Sequence, residues 1–207
     1  HVLRGDFDDT LIREWHAAMD YGFTHFTCVY LGGTDSDGNW YILDCHRERQ
    51  KLPQWHARGV KDMIARHQIG EAGGRTRKLQ ISDLVRFSVG ADAFSKQPDG
   101  TTIAQQYQKH GVKMTLAFTD RIQGWAIIQE KLGDPSAHQP SKLFIHERCG
   151  ALIETLPTLQ HDPSRPEDVL KVDCDDDGFG GDDDADAARY LIASKPKRIL
   201  QRKLSGL

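Results

Sequence analysis

The sequence predicts an α/β domain built on a mixed β-sheet, and three observations lead there. Short stretches rich in β-branched and aromatic residues alternate with longer stretches of helical periodicity, in the order βββ-α-β-α-β-α. The first three strands follow one another with only turns between them, which makes them an antiparallel meander. At 207 residues, 38% of them hydrophobic, the chain is long enough to bury one substantial core.

Residues 1–14 are mixed in polarity and weakly periodic, and read as a lead-in or linker from a missing N-terminal region. Residues 16–20 are a short, mostly apolar strand that ends in Asp20-Tyr21-Gly22. Residues 24–31 (THFTCVYL) carry the β-branched and aromatic content of a strand, 32–39 (GGTDSDGN) have turn chemistry, and 40–45 return as the partner. Pro53 opens a helix over 53–69, with Val60, Met63 and Ile64 on one stripe. A Gly-Gly loop with basic residues fills 71–78, and the next strand, 85–91, runs directly into Asp92. A helix at 102–110, a strand at 112–118 and a helix at 120–132 follow, the last with Ile122, Trp125, Ile128 and Leu132 aligned. A strand at 143–146, a helix at 148–156 and a proline-containing loop at 157–166 lead to an Asp-rich segment and a final helix at 183–194. A basic tail, 195–207, closes the chain, and the folded domain is expected to span 15–194.

The net charge of −3 conceals an asymmetry. Eight aspartates and no Lys or Arg fall within 173–186, which leaves +5 on all other residues together. An acidic cluster in an otherwise basic chain suits a cation site that faces a polyanion, and it suits a calcium loop as well. The four cysteines are widely spaced, with no CxxC, which argues against a structural zinc site or a disulfide framework and for a reducing compartment. No apolar run reaches the roughly 20 residues that span a bilayer, and no signal peptide is visible, so no membrane partner is expected. The ten histidines show no HExxH pattern and no GxSxG elbow occurs, which leaves zinc-hydrolase and Ser-His-Asp chemistry unsupported.

Three acidic positions occupy comparable places. Asp20 ends the first strand, Asp92 ends the fourth, and Asp182 and Asp183 begin the last helix, with Asp186 one turn further on the same face. Strand ends of an α/β sheet converge on one edge, so these carboxylates can meet in one crevice. Like charges that close repel, and a hard divalent cation such as Mg²⁺ or Mn²⁺ relieves the cost. Several carboxylates so placed can hold two ions about 4 Å apart, the arrangement that serves in-line phosphodiester hydrolysis. The plainer alternative is that an acidic first turn complements the helix dipole and that a lone Asp at a strand end serves the turn.

On the stretches AMDYGF (18–23), DGNWYILD (37–44), VGADAFSKQ (89–97), KHGVKMTLAFTDRIQGW (109–125) and GDDDADAARY (181–190), the chain resembles the C-terminal nuclease domain of the large terminase subunit of tailed bacteriophages. The resemblance runs from about residue 15 to 193 and implies an RNase H-like fold. It also implies a metal-dependent endonuclease that cuts concatemeric viral DNA during packaging, with Asp20, Asp92 and Asp182 as catalytic residues. Those three, with Asp183 and Asp186, would be the ligands of two Mg²⁺ or Mn²⁺ ions, the third family position falling in the Asp182–Asp183 pair. The implied partners are double-stranded DNA, an ATPase motor domain, a small terminase subunit and a portal protein, in the cytoplasm of an infected bacterial host. The GxxxxGK[ST] loop of such a motor is missing from this sequence, so the resemblance is to the nuclease half and implies no ATP hydrolysis.

Two other readings stay open: another RNase H-like nuclease such as a resolvase, and a non-catalytic calcium- or DNA-binding module. For the latter, Asp173, Asp175 and Asp177, with Gly178 and Asp184, occupy EF-hand positions of a loop over 173–184. Arg75, Arg77 and Lys78 in the Gly-rich loop, Arg121, and Lys195, Lys197 and Arg198 in the tail are the candidate phosphate contacts.

Overall fold

The computed structural model describes residues 1–175 and 181–194. Its first half comprises β1 (Val2–Leu3), β2 (Glu14–Asp20), β3 (Thr27–Thr34), β4 (Trp40–Glu48), α1 (Pro53–Ile64), β5 (Gln68–Gly70), β6 (Thr76–Lys78) and β7 (Arg86–Val89). There follow α2 (Ile103–Lys109), β8 (Thr115–Leu116), α3 (Arg121–Leu132), β9 (Leu143–His146), α4 (Gly150–Thr155), β10 (His161–Asp162), β11 (Arg165–Val169) and α5 (Asp183–Ala193). Seven strands form one sheet in the order β1-β9-β4-β3-β2-β7-β8, and β3 runs against all the others. Two small hairpins, β5–β6 and β10–β11, stand outside it.

Period-two alternation divides the core in two. Trp15, Ala17 and Met19 of β2, with Val29 and Leu31 of β3, face one side, where Val60 and Met63 of α1 and Tyr107 of α2 cover them. Ala18, Cys28 and Tyr30 face the other, under Trp125 and Ile128 of α3, Leu152 of α4 and Ala187, Leu191 and Ile192 of α5. Asp20 is in phase with Ala18, so its side chain emerges on the α5 side of the sheet. The helix can lie close because Gly32 leaves β3 bare there. A Cβ at Gly32 would collide with the Tyr41 carbonyl oxygen and sit 3.2 Å from the Leu191 side chain.

The mixed sheet agrees with the expected architecture, and the differences have local causes. The lead-in segment is part of the sheet: Val2 and Leu3 pair with Ile145 and His146 as a parallel edge strand, a stretch too short to show periodicity. Helix α1 stops at Ile64 rather than 69, because Arg66 and His67 turn back to the buried Asp44 carboxylate at 2.9 and 3.2 Å. The strand expected over 112–118 shrinks to Thr115–Leu116, since Val112 N–H donates to the Tyr107 carbonyl and completes the turn that ends α2. The proline-containing loop instead carries the β10–β11 hairpin.

Candidate functional site

The parallel pairing of β2 with β7, Met19 opposite Val89, brings Asp20 and the residues after β7 to one edge of the sheet. Helix α5 begins over that edge. Asp182 caps it by position without a side-chain capping bond, and its carbonyl accepts the Asp186 N–H at 2.8 Å. Asp182, Asp183 and Asp186 therefore share the first turn, and all three charges bear on Asp20. Burial first, and then the Asp186, Asp183 and Asp182 carboxylates, push Asp20 up to about 8 against the partial relief of Lys171. Asp183 is pushed up to about 6 by burial and Asp182, with His25 opposing. Asp182 is raised as well, by burial and Asp186, against Lys171 and Arg121. Its Oδ2 is buried with no hydrogen-bond partner among the described residues, a cost that water or a cation would remove.

The run of aspartates divides by direction around the helix. Asp184 points away from Asp20, accepts the Tyr30 hydroxyl at 2.6 Å and pairs with Arg47 Nε at 2.9 Å, so it anchors α5 to β3 and β4. Asp186 is held on both oxygens. Arg121 Nη1 donates to its Oδ2 at 2.8 Å and Arg189 Nε to its Oδ1 at 3.1 Å. This engagement makes Asp186 the anchor of two arginines rather than an open ligand. Asp92 lies on the exposed 3-10 turn Ala91–Phe94, at the same sheet edge. The charges acting most on Asp20 come from the α5 turn, so the structure groups Asp20 with Asp182, Asp183 and Asp186 and leaves Asp92 beside them in solvent.

Several groups at the site carry no readable signal in the sequence. Lys171 Nζ stands 3.9 Å from Asp182 and 3.7 Å from Asp186 on a largely exposed side chain. Asp168 of β11 holds Arg121 Nε at 3.0 Å. Tyr190, one residue past buried Arg189, is pushed up to about 12 by burial and then by Asp20. Gly22, two residues past Asp20, lets its own turn close: a Cβ there would lie 2.8 Å from the Phe26 carbonyl oxygen.

The candidate phosphate contacts are dispersed. Arg121 turns inward to Asp168, Asp186 and the Val169 carbonyl. Arg77 is bound by Glu71 at 2.9 Å and Asp83 at 2.6 Å, while Arg75 and Lys78 are exposed on the β5–β6 hairpin. That hairpin packs where Gln68 N–H meets Asp9, at the Glu14 end of β2 and hence about 20 Å from Asp20 along the strand. Lys195, Lys197 and Arg198 lie outside the described residues. The EF-hand alternative meets two obstacles. Its twelfth position, Asp184, is occupied by Tyr30 and Arg47, and the chain before it forms the β10–β11 hairpin where an entering helix would be needed.

A sheet whose central strands run β4-β3-β2-β7-β8, with β3 reversed and helices on both faces, is the RNase H-like arrangement. Among solved structures the chain is similar to the nuclease domain of the bacteriophage P22 large terminase, at 15% identity and a TM-score of 0.61, covering 91% of this chain and 84% of that one. It is also similar to the large terminase of the thermophilic bacteriophage D6E, at 18% identity and a TM-score of 0.65, covering 93% of this chain. The chain spans 42% of the D6E protein's length. At these identities the likeness establishes the fold, that of a terminase nuclease domain. No protein-family model and no curated protein sequence matches the chain.

Proposed function

We propose that this chain is a divalent-cation-dependent DNA endonuclease of the terminase type, cutting concatemeric viral duplex DNA during genome packaging. The observation that carries the reading is the buildup of only partly compensated carboxylate charge where β2 ends and α5 begins, expressed in Asp20 pushed up to about 8. A cluster that serves only stability has no reason to retain this cost. The donor set fits a hard cation: Asp20, Asp182 and Asp183 offer oxygen only, and Asp92 can join from the adjacent turn. Mg²⁺ or Mn²⁺ ions bound there, two by analogy with the chemistry of such sites, would supply charge stabilisation for phosphodiester hydrolysis.

The chain's own groups supply the rest. Arg121 and Arg189, fixed on Asp186, hold the first turn of α5 against α3, so that Asp182 and Asp183 are presented at the Asp20 edge. Lys171 partly balances the cluster and stands where a DNA phosphate would approach it. A duplex laid along β2 would reach Arg75 and Lys78 about six base pairs away, given about 3.4 Å per step. An ATPase motor, a small terminase subunit and a portal protein are the expected partners, in the host cytoplasm. Among the described residues no helix is long and apolar enough to cross a membrane.

Supercoiled plasmid incubated with the chain in Mg²⁺ or Mn²⁺ is expected to become nicked and linear. EDTA is expected to stop this, and Ca²⁺ alone to sustain none of it. Cleavage undiminished by EDTA contradicts the reading, and strong preference for four-way junctions over linear duplex replaces it with a resolvase. The raised carboxyls add a pH signature. Below about pH 8 a cation entering at Asp20 must displace a proton, so affinity for Mn²⁺ should rise with pH up to about 8. Calorimetric titration at pH 6.5 in two buffers of different ionisation enthalpy measures the released proton. Equal heats in both would contradict a cation contact at Asp20.

A further inference from the structure

We propose that His25, Cys174 and Asp183 form a second, chemically distinct cation site, one for a borderline transition ion of the zinc class. A ring nitrogen, a sulfur and a carboxylate oxygen of these residues all lie within 4.8 Å of one another. They come from three separate places: the turn between β2 and β3, the segment ahead of α5, and the first residue of α5. Among the described residues the group is the one of its kind. Three donor atoms that converge from separate elements can share one cation.

The donor chemistry selects that partner. Zn²⁺ accepts thiolate, imidazole and carboxylate together at 2.0–2.3 Å, which sets tetrahedral ligand atoms about 3.5 Å apart. Closing from the present spacing takes shifts of about 1 Å, and His25 is exposed and free to make them. Mg²⁺ and Ca²⁺ take oxygen ligands and have no use for the Cys174 sulfur. Three protein ligands leave a fourth position for water. Once bound, the ion would tie Cys174 to the start of α5 and to the turn beside Asp20, and would neutralise Asp183. Asp183 is common to this site and to the Asp20 edge, so the two sites share one carboxylate, and the sulfur and imidazole of Cys174 and His25 are what tell them apart.

The test is a Co²⁺ titration of the 207-residue chain followed by absorbance, with Co²⁺ as the spectroscopic stand-in for Zn²⁺. One equivalent should produce a near-ultraviolet sulfur-to-cobalt charge-transfer band that Zn²⁺ abolishes and excess Mg²⁺ does not. Cys174→Ser should remove the band, and His25→Ala should weaken Co²⁺ binding at least tenfold. Cys45→Ser, at the other partly exposed cysteine, should leave both unchanged. Zn²⁺ should raise the melting temperature of the unaltered chain and leave that of Cys174→Ser in place. Absence of the band in the unaltered chain, or its persistence in Cys174→Ser, overturns the proposal. Cleavage with Mg²⁺ is a separate assay, so loss of one result leaves the other standing.

Discussion

Asp20→Asn is expected to reduce metal-dependent cleavage at least a thousandfold while the chain stays folded. The substitution removes one ligand charge with almost no change in shape, and losing such a ligand costs several kcal/mol of transition-state stabilisation. The same variant should stabilise the metal-free chain, and the sign follows from the raised carboxyl. Native Asp20 keeps its proton to about 8, whereas an unfolded Asp titrates near 3.9. Between these values the native state binds the extra proton, so its stability falls as pH rises across the window. Asn is spared that loss. Without metal, the variant should match the parent near pH 4 and exceed it by about 2–4 kcal/mol at pH 8. Thermal melts at the two pH values measure the crossing, and a variant less stable than its parent at pH 8 would show that Asp20 is already compensated by protein groups.

Arg121→Ala should be the most destabilising single change at the site. The guanidinium reaches Asp168, Asp186 and the Val169 carbonyl, and both carboxylates are buried. Leaving such carboxylates without their partner costs about 3–5 kcal/mol, roughly 10 °C in melting temperature for a domain of this size. Arg121→Lys keeps the charge but loses the fork that spans two carboxylates, and should fall between the two. Burial works against the Asp168 anion, but Val169 N–H and Arg121 outweigh it and hold the carboxyl below its usual range. The stabilisation from that pair is present above pH about 4 and disappears as pH falls through the lowered native value. The deficit of Arg121→Ala should accordingly shrink at pH 3 relative to pH 7. Denaturant melts at the two pH values read the difference, and an equal deficit in both would assign Arg121 a packing role alone.

The elements most legible in the sequence are the β2–β3–β4 meander, marked by β-branched and aromatic stretches between turn residues, and helices α1 and α3, marked by apolar side chains every three to four residues. Edge strand β1 and the two-residue β8 are pinned by partners far away in the chain and leave no periodic trace. The meeting of Asp20 with the α5 turn was legible because strand ends and helix starts mark themselves with Asp-Tyr-Gly and Asp-Asp-Asp. Which aspartate does what was not. Asp182, Asp183, Asp184 and Asp186 look alike in one dimension, and rotation around the helix turns Asp184 to Tyr30 and Asp186 to the arginines. Asp92 reads from its place at the end of the fourth strand, and the fold keeps it at that edge but exposed. The basic residues of the β5–β6 hairpin read from composition, which carries no distance, and the fold sets them at the far end of β2. Lys171 and Asp168 were invisible for the same reason: each is an unremarkable residue until the hairpin before α5 folds onto α3.

The central claim is that the Asp20 edge, closed by the first turn of α5, is a divalent-cation site. Anomalous scattering from crystals soaked in Mn²⁺ tests it directly, because it locates each ion whether or not the crystal can cleave DNA. The account predicts a peak within bonding distance, about 2.2 Å, of an Asp20 oxygen, shared with Asp182 or Asp183 and lost in Asp20→Asn. A crystal in which Mn²⁺ occupies other carboxylates while Asp20 remains bare, or binds alike in Asp20→Asn, would contradict it.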